Sequence, residues 1–310
     1  MKTVLIGFGD IAEKYLPVLK ELNCEVIGVV GRNYEKTLEK CKKFDIPNVF
    51  DSIEKIPIHE CDFLMNLTSA DSISSTLKQI ISFKKPIFTE KPVGFGINEI
   101  QELINQNKKF NSNIMVGTNR RFYSIFHQAL QFLKEHDKRI ESIKIDAPER
   151  FSDINQEKFN SKIKENWMFA NSIHCVDLIR FFGGDVKKIE SNSIIDKYDF
   201  NANGICNSNV DFSYSSNWKK QSKWNISIFA DEIKIIFEPI ETGKIIIKNK
   251  NTQIIPSEED LKFKPGFYAQ ISHFLENFVK KNEKKWPGSD LEDHKKSIKL
   301  IEDIFIQTKD

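Results

Sequence analysis

A glycine-containing turn near the start of the chain has the residue types needed to bind a phosphate. The segment Gly7-Phe8-Gly9-Asp10-Ile11-Ala12 follows a short apolar run and opens an amphipathic stretch. In this strand-turn-helix setting Gly7 permits a tight turn, Gly9 lets the backbone approach a pyrophosphate, and Ala12 keeps the helix close to the strand. The helix N-terminus offers free N–H groups to the anion. The segment predicts a dinucleotide site, and the alternative is a glycine turn without a ligand.

The end of the second apolar run bears on which dinucleotide binds. It reads Val29-Val30-Gly31-Arg32-Asn33, at the place where an acidic residue would bind the ribose 2′-hydroxyl of NAD. No carboxylate stands there, and Arg32 could instead pair with a 2′-phosphate. We therefore expect NADP in preference to NAD, with Arg32 and Asn33 at the cofactor; the alternative is that Arg32 is a solvated loop cation.

Two further segments carry residues that could do chemistry. Glu90-Lys91-Pro92 directly follows an apolar strand, at the edge where open parallel sheets bind ligands, although most single lysines are surface charges. In Asn171-Ser172-Ile173-His174-Cys175-Val176-Asp177, His174 and Asp177 are i and i+3 neighbours on one helix face. A separate apolar stripe of that helix suits the core, which leaves His174 and Asp177 to face a cleft; a structural histidine is the alternative.

The arrangement of apolar runs predicts two domains. Short apolar runs alternate with amphipathic stretches up to about residue 118, which is a βαβα pattern. Beyond it come helical segments, a β-rich region from about 186 to 250, and closing helices of about 267–280 and 290–307. We expect an α/β protein with an N-terminal Rossmann doubly wound parallel sheet (1–118) and a C-terminal α+β domain with a mostly antiparallel open sheet (119–310).

The bulk composition excludes several function classes. Of 310 residues, 46 are Lys or Arg and 44 are Asp or Glu, so no positive field favours nucleic acid or a membrane as a partner. The five cysteines form no CxxC pair and are expected to be reduced, packed thiols. Without HExxH, GxSxG or a cysteine pair of ligand spacing, we expect no metal site and no hydrolase. The N-terminal apolar run is too short for a signal peptide or membrane span, so we expect a cytoplasmic protein.

Several of these motifs in order resemble the glucose-fructose oxidoreductase and inositol dehydrogenase family, Gfo/Idh/MocA. The resemblance covers nearly the whole chain. The motifs that carry it are Gly7-Phe8-Gly9-Asp10-Ile11-Ala12, Glu90-Lys91-Pro92, residues 116–122 (Val-Gly-Thr-Asn-Arg-Arg-Phe), Ile173-His174-Cys175-Val176-Asp177 with Phe182-Gly183-Gly184, residues 267–274 and residues 290–293.

The resemblance implies an NAD(P)-dependent oxidoreductase. It would transfer a hydride between the cofactor and a secondary hydroxyl or ketone of a sugar, sugar nucleotide or polyol, as a homodimer or homotetramer built through the C-terminal sheet. Lys91 and His174 would be the catalytic residues. The implied cofactor contacts are Gly7, Phe8, Gly9, Asp10, Ile11, Arg32, Asn33, Thr68, Glu90 and Lys91, and the implied substrate contacts are Asn119, Arg120, Arg121, Asn171 and Asp177.

The chain departs from the family pattern at two places. Inositol dehydrogenase-type members resemble Asp-x-x-x-His here, whereas this chain has Ala170 four residues before His174. The loop Leu67 to Ser72 lacks the proline and histidine that many members have. A second hypothesis therefore stays open, in which the protein binds the dinucleotide without turnover, as a sensor or a partner-binding subunit.

Overall fold

The computed structural model describes residues 1–220, 222–248 and 250–306 of the chain. It divides the chain into two units: the first comprises Met1–Asn119 with Lys262–Lys295, and the second comprises Arg120–Leu261 with the chain from Lys296 onward. The first change of unit lies one residue from the predicted boundary of 118. The structure differs from the predicted division in the C-terminal part, because residues 262–295 fold with the first unit.

The first unit contains a six-stranded parallel sheet with strands in the order β3-β2-β1-β4-β5-β6. The strands are β1 (Lys2–Ile6), β2 (Glu25–Val30), β3 (Val49–Phe50), β4 (Phe63–Asn66), β5 (Ile87–Thr89) and β6 (Ile114–Val116). They are joined through α1 (Asp10–Glu21), α2 (Tyr34–Lys43), α3 (Ile73–Ile80) and α4 (Ile97–Phe110), with short 3-10 turns between. The strands read as nearly continuous apolar runs because helices cover both faces of such a sheet. The predicted doubly wound sheet is confirmed.

Residues 262–295 complete the core of this first unit. They form α10 (Phe267–His273) and a π-helical segment (Phe274–Lys280). The Phe267 ring stacks on Tyr15 of α1, with 4.3 Å between ring centroids, and Phe274 contacts Phe88 of β5 edge-on at 5.7 Å. All four rings are fully buried. The apolar face of a predicted closing helix thus packs on the N-terminal sheet unit, which its own periodicity could not reveal.

The second unit is built on an eight-stranded sheet with the order β14-β13-β12-β11-β7-β10-β9-β8. Among the strand pairs of the described residues, only β7–β10 is parallel, so the predicted mostly antiparallel sheet is confirmed. The strands are β7 (Ser142–Asp146), β8 (Val186–Ser191), β9 (Asp199–Cys206), β10 (Asp211–Asn217), β11 (Asn225–Ala230), β12 (Ile233–Phe237), β13 (Gly243–Ile247) and β14 (Lys250–Ile254).

Helices accompany the second sheet. They are α5 (Ser124–Glu135), α6 (Phe151–Ile154), α7 (Ser161–Glu165), α8 (Ile173–Gly183) and α9 (Glu258–Lys262). The last helix, α11 (Leu291–Phe305), starts one residue later than predicted, and the predicted end at Gln307 lies outside the described residues. Helix α8 packs against β7 and β10, and a π-helical turn (Met168–Ser172) leads directly into it.

A buried ion pair stabilises the second unit at α8. The Arg121 side chain is fully buried and donates through Nε and Nη2 to the two carboxylate oxygens of Asp177, both at 2.6 Å. Ser297 also donates to Asp177, and its hydroxyl accepts from Arg180 at 2.7 Å. Arg180 reaches Asp185 as well, at 2.7 Å. The bidentate geometry and the added hydrogen bonds are what make a desolvated pair tolerable.

All five cysteines are free and buried. Burial raises the pKa of Cys41 and of Cys206 to about 11, so both thiols stay protonated near neutral pH. Since the thiolate is the reactive species, these two are poor nucleophiles and metal ligands. The predicted packed thiols are confirmed.

Removal of the Asp177 carboxylate tests the buried pair. We expect Asp177→Ala to lower the free energy of unfolding by about 3–5 kcal/mol, because it leaves the Arg121 charge buried without its partner. Urea denaturation of both proteins measures the change. The control is Asp153→Ala, which breaks the exposed Arg150–Asp153 pair (3.4 Å) and should cost under about 1 kcal/mol. Equal losses in the two variants would contradict a special role for the buried pair.

Candidate functional site

The turn after β1 can only be made with glycine at position 7. Gly7 has φ +93°, in the region that favours glycine, and a Cβ there would lie 2.7 Å from the Leu67 carbonyl and from the Thr68 nitrogen. The Gly7 N–H donates to the Val30 carbonyl oxygen at 2.8 Å. The loops after β1, β2 and β4 therefore meet at this point, at the carboxyl edge of the parallel sheet.

Gly9 leaves open space in front of a helix N-terminus. A Cβ at Gly9 would meet nothing within 4 Å, and its extended backbone does not itself require glycine. Helix α1 begins at Asp10 with Gly9 as N-cap and no side-chain capping hydrogen bond, while Ala12 is fully buried. N–H groups at such an end attract anions. The residues present fit a pyrophosphate group, with Asp10 and Ile11 in the first turn.

Phe8 is anchored on the side of α2. Its ring contacts Phe44 at 5.8 Å between centroids, and its carbonyl oxygen accepts from Lys40 Nζ at 3.3 Å. Lys40 is paired in turn with Glu13 at 2.8 Å. These contacts hold the outer end of the glycine turn, although the sequence offered no reason to single out Lys40.

The loop after β2 presents a cation at the same edge. Arg32 is exposed, with Nη2 3.4 Å from the Ser69 hydroxyl, a weak contact. The Asn33 side-chain oxygen accepts from the Lys36 N–H at 3.0 Å, so Asn33 is the N-cap of α2. The side-chain oxygen of Asn33, a predicted cofactor contact, is thus used to cap α2, whereas the Arg32 guanidinium lies at the surface.

A buried asparagine that sequence reasoning missed organises the loops after β4 and β5. Asn66 Nδ2 donates to the Ile73 carbonyl at 2.9 Å and to the Thr89 hydroxyl at 3.1 Å. Its Oδ1 accepts from the hydroxyl of Thr68, a predicted cofactor contact, at 2.8 Å. The signal that could have found it is a polar residue ending an otherwise apolar strand.

Glu90 anchors the loop that carries Lys91. Its carboxylate is buried and accepts from the Tyr15 hydroxyl at 2.6 Å and from the Lys91 backbone N–H at 3.2 Å. Gln270 donates to the same Tyr15 oxygen at 2.8 Å. Burial, with Glu90 beside it, raises the pKa of Tyr15 well above its usual range, so Tyr15 is a stable donor. Lys91 itself is half-buried at the carboxyl end of β5.

In the second unit, a buried carboxylate holds the turn in front of His174. His174 is half-buried in the first turn of α8. The Glu149 carboxylate accepts from Trp167 Nε1 at 2.9 Å, Asn171 Nδ2 at 2.8 Å and the Ser172 hydroxyl at 2.8 Å. Burial raises the pKa of Glu149, and the three hydrogen bonds oppose that shift. Glu149 was not among the predicted site residues.

The predicted substrate residues are placed in different surroundings. Arg120 lies over the Trp224 ring, with the guanidinium carbon 4.8 Å from its centroid. Asn119 is buried and donates to the Pro265 carbonyl at 3.0 Å. Arg121 and Asp177 are buried against each other, which differs from the expectation that Asp177 faces a cleft. The i, i+3 spacing placed both residues on one helix face, but the ion pair buries that face at Asp177, while His174 stays half-buried.

The second unit contains a cavity of 310 Å³ beside the turn that precedes His174. Glu149 and Asn171 form part of its wall, together with Arg150, Trp224 and Glu241.

Within the described ranges, no group of three His, Cys, Asp or Glu side chains could hold a metal ion. In the same part of the chain, no helix is long and apolar enough to cross a membrane.

The N-terminal part of the chain is similar to known proteins in sequence. Residues 1–118 match the sequence profile of Gfo/Idh/MocA, described as an oxidoreductase family with an NAD-binding Rossmann fold. The 4-hydroxy-tetrahydrodipicolinate reductase of Staphylococcus saprophyticus is 31% identical over 107 residues, which make up 32% of this chain and 44% of that protein. The chain thus spans less than half the length of this curated relative.

Solved structures match along nearly the whole chain. A Gfo/Idh/MocA family oxidoreductase from Vibrio cholerae has a TM-score of 0.80 at 19% identity, covering 98% of this chain and 96% of that one. The aldose-aldose oxidoreductase from Caulobacter crescentus, complexed with glycerol, has a TM-score of 0.81 at 15% identity, with coverages of 97% and 95%. These likenesses establish a shared fold.

Residues 1–118 therefore match the NAD-binding Rossmann-fold domain of the Gfo/Idh/MocA oxidoreductase family, and the chain as a whole shares its fold with a solved structure of that family. The resemblance and the fold class predicted from the motifs are confirmed.

The two glycines of the turn give a matched test. We expect Gly7→Ala to lower the free energy of unfolding by about 3 kcal/mol or more, through a strained φ and overlap with Leu67. Gly9→Ala should fold as the wild type but bind the dinucleotide at least about tenfold more weakly, because its Cβ occupies the space left for the anion. Urea denaturation and fluorescence titration with NADPH measure the two effects. Unchanged cofactor affinity in Gly9→Ala would place the pyrophosphate elsewhere.

Proposed function

We propose that the chain is an NADP-dependent oxidoreductase acting on a secondary hydroxyl or ketone of a sugar-like or polyol substrate. The observation that carries the proposal is the open space at Gly9 before the uncapped N-terminus of α1, in a domain of an oxidoreductase family. Backbone N–H groups at Asp10 and Ile11 would hold the pyrophosphate. Thr68 and Lys91, on loops at the same sheet edge, would lie further along the cofactor.

The preference for NADP rests on the loop after β2. It has an exposed guanidinium at Arg32 and no carboxylate from Gly31 to Tyr34. A carboxylate there would accept from the ribose hydroxyls of NAD and repel a phosphate, whereas an arginine can make charge-assisted hydrogen bonds to the 2′-phosphate.

The substrate chemistry is assigned to Lys91 and His174 on the strength of the family resemblance. Oxidation of a secondary alcohol removes a hydride and a proton, and the nicotinamide supplies the hydride acceptor when bound. His174 would take the hydroxyl proton, since imidazole titrates near neutral pH, and Lys91 would stabilise negative charge developing on that oxygen. The structural relatives include an aldose-aldose oxidoreductase and a UDP-N-acetylglucosamine 3-dehydrogenase, which favours a carbohydrate-like substrate.

Replacement of Arg32 tests the cofactor preference. We expect NADP and NADPH to raise the melting temperature of the wild type more than NAD and NADH do, because a ligand that binds only the native state stabilises it. Arg32→Ala should weaken NADP binding by about 10- to 150-fold, since a hydrogen bond to a charged group contributes about 1.5–3 kcal/mol, and leave NAD binding unchanged. Thermal unfolding with isothermal titration measures both effects.

The control is Lys36→Ala, which removes another exposed cation at the start of α2 and should change NADP affinity by less than about twofold. Tighter binding of NAD than of NADP by the wild type would overturn the preference. No stabilisation by any of the four dinucleotides would overturn the proposed function.

Replacement of His174 and Lys91 tests the chemistry. With a panel of sugars and polyols, His174→Asn and Lys91→Ala should each lower the rate of NADP reduction by about 10²–10⁴-fold, as loss of a general acid–base group does. Both variants should keep the cofactor-induced rise in melting temperature. A wild type that binds NADP but reduces it with no member of the panel would favour the sensor hypothesis.

A further inference from the structure

The Glu149 carboxylate ties together one short segment of the chain. Its three donors, Trp167, Asn171 and Ser172, all lie in or next to the π-helical turn Met168–Ser172. Glu149 itself follows β7 and is 3% exposed. A wide helical turn of this kind costs regular hydrogen bonds and recurs at functional sites. Here one buried acceptor fixes it to the end of a strand.

This arrangement sets the orientation of the Asn171 amide. An asparagine side chain can offer either its NH₂ group or its carbonyl oxygen to a neighbour. The Glu149 Oε2 atom also accepts from Trp167 Nε1, which can only donate, so the Asn171 Nδ2 atom faces Glu149 and the Oδ1 atom points away from it. Within the described residues Oδ1 has no hydrogen-bond partner. Asn171 lines the 310 Å³ cavity, which is where an acceptor of this kind can be used.

The other walls of the cavity carry charges of both signs. Arg150 is paired with Asp153 at 3.4 Å, and Lys223 and Glu241 are exposed at the rim. The wall has at least as many carboxylates as cations, so it has no net attraction for an anion. A ligand with several hydroxyl groups can donate to acceptors such as Asn171 Oδ1 and Glu241 and accept from the cations. A phosphate or carboxylate would instead place its oxygens against acceptors and leave them without donors.

We propose that Glu149 is a positioning residue that holds Asn171 with Oδ1 toward the cavity, as an acceptor for a hydroxyl group of a neutral polyhydroxylated ligand. The ligand binds by donating hydrogen bonds, and anionic analogues are excluded at this position. The identification of that ligand with the substrate rests on the proposed function. The binding itself does not, because it requires no hydride transfer.

The experiment measures binding of myo-inositol, a neutral polyol probe, by NMR of the ¹⁵N-labelled full chain, with and without NADPH. In the wild type, myo-inositol should shift the Asn171 side-chain NH₂ resonances and the Trp224 indole resonance, and citrate, an anionic probe, should not. Asn171→Ala serves both to assign the NH₂ signals and to test the contact. It should weaken myo-inositol binding about tenfold, the upper part of the range for one hydrogen bond.

Ser172→Ala is the matched control, because it also removes one donor to Glu149 but takes no acceptor from the cavity. It should keep the affinity for myo-inositol within about twofold. Glu149→Gln should also bind normally, since its oxygen can accept from Trp167 and Asn171 while its NH₂ group donates to the Ser172 hydroxyl. Glu149→Leu has no acceptor for the Asn171 amide, so that side chain loses its fixed orientation and myo-inositol binding should be lost. Normal binding in Glu149→Gln, at the same position, would show that this loss follows from the orientation of Asn171 and not from misfolding.

Equal weakening in Asn171→Ala and Ser172→Ala would show that the Glu149 cluster is merely structural and would overturn the proposal. So would tighter binding of citrate than of myo-inositol, or no binding of myo-inositol by the wild type. Binding with the expected pattern of variants, in a protein that oxidises no polyol, would uphold this proposal and overturn the proposed function. Turnover of polyols that is unaffected by Asn171→Ala would uphold the proposed function and overturn this proposal.

Discussion

The first unit depends on a close contact at Gly7, where there is no room for even one additional carbon atom. Strand β1 runs directly against the loop after β4, and a side chain at position 7 would overlap the Leu67 carbonyl. Because the strands are parallel, the loops after β1, β2, β4 and β5 lie at one sheet edge, where Gly7 lets the first of them touch the loop after β4. Gly9, two residues further on, has open space in front of it. The same turn therefore contains one glycine with no room for a side chain and one with ample room.

Two buried carboxylates play different parts in the second unit. Asp177 neutralises a fully buried arginine and closes the face of α8 that the spacing alone had suggested was open. Glu149 accepts from three neutral donors and fixes the turn that precedes His174. Removing either carboxylate from water costs free energy, and the hydrogen bonds and charges that surround each one offset that cost. The Asp177 ion pair contributes to the stability of the second unit, and the Glu149 hydrogen bonds orient the Asn171 side chain at a cavity wall.

The hydrogen bonds of Glu149 lie next to Ala170, the position at which the chain departs from the family pattern. The chain lacks a carboxylate four residues before His174, but the Glu149 carboxylate binds the next two residues, Asn171 and Ser172. A carboxyl group from a different part of the sequence therefore lies at the entry to α8. The helix that carries His174 is anchored through its preceding turn without a carboxylate at position 170, which is compatible with the oxidoreductase proposal.

Local spacing was sufficient to determine the glycine turn, the strand-helix alternation of the N-terminal sheet, the cation after β2 and the helix that carries His174. These features depend on residues within one turn or one strand of each other, and their periodicity is visible along the chain. Only the tertiary structure decided that residues 262–295 pack on Tyr15 and Phe88, that Arg121 pairs with Asp177, and that Glu149 holds Asn171. The physical reason is that each of these contacts joins groups from separate elements, and a partner of that kind leaves no trace in the pattern around either residue.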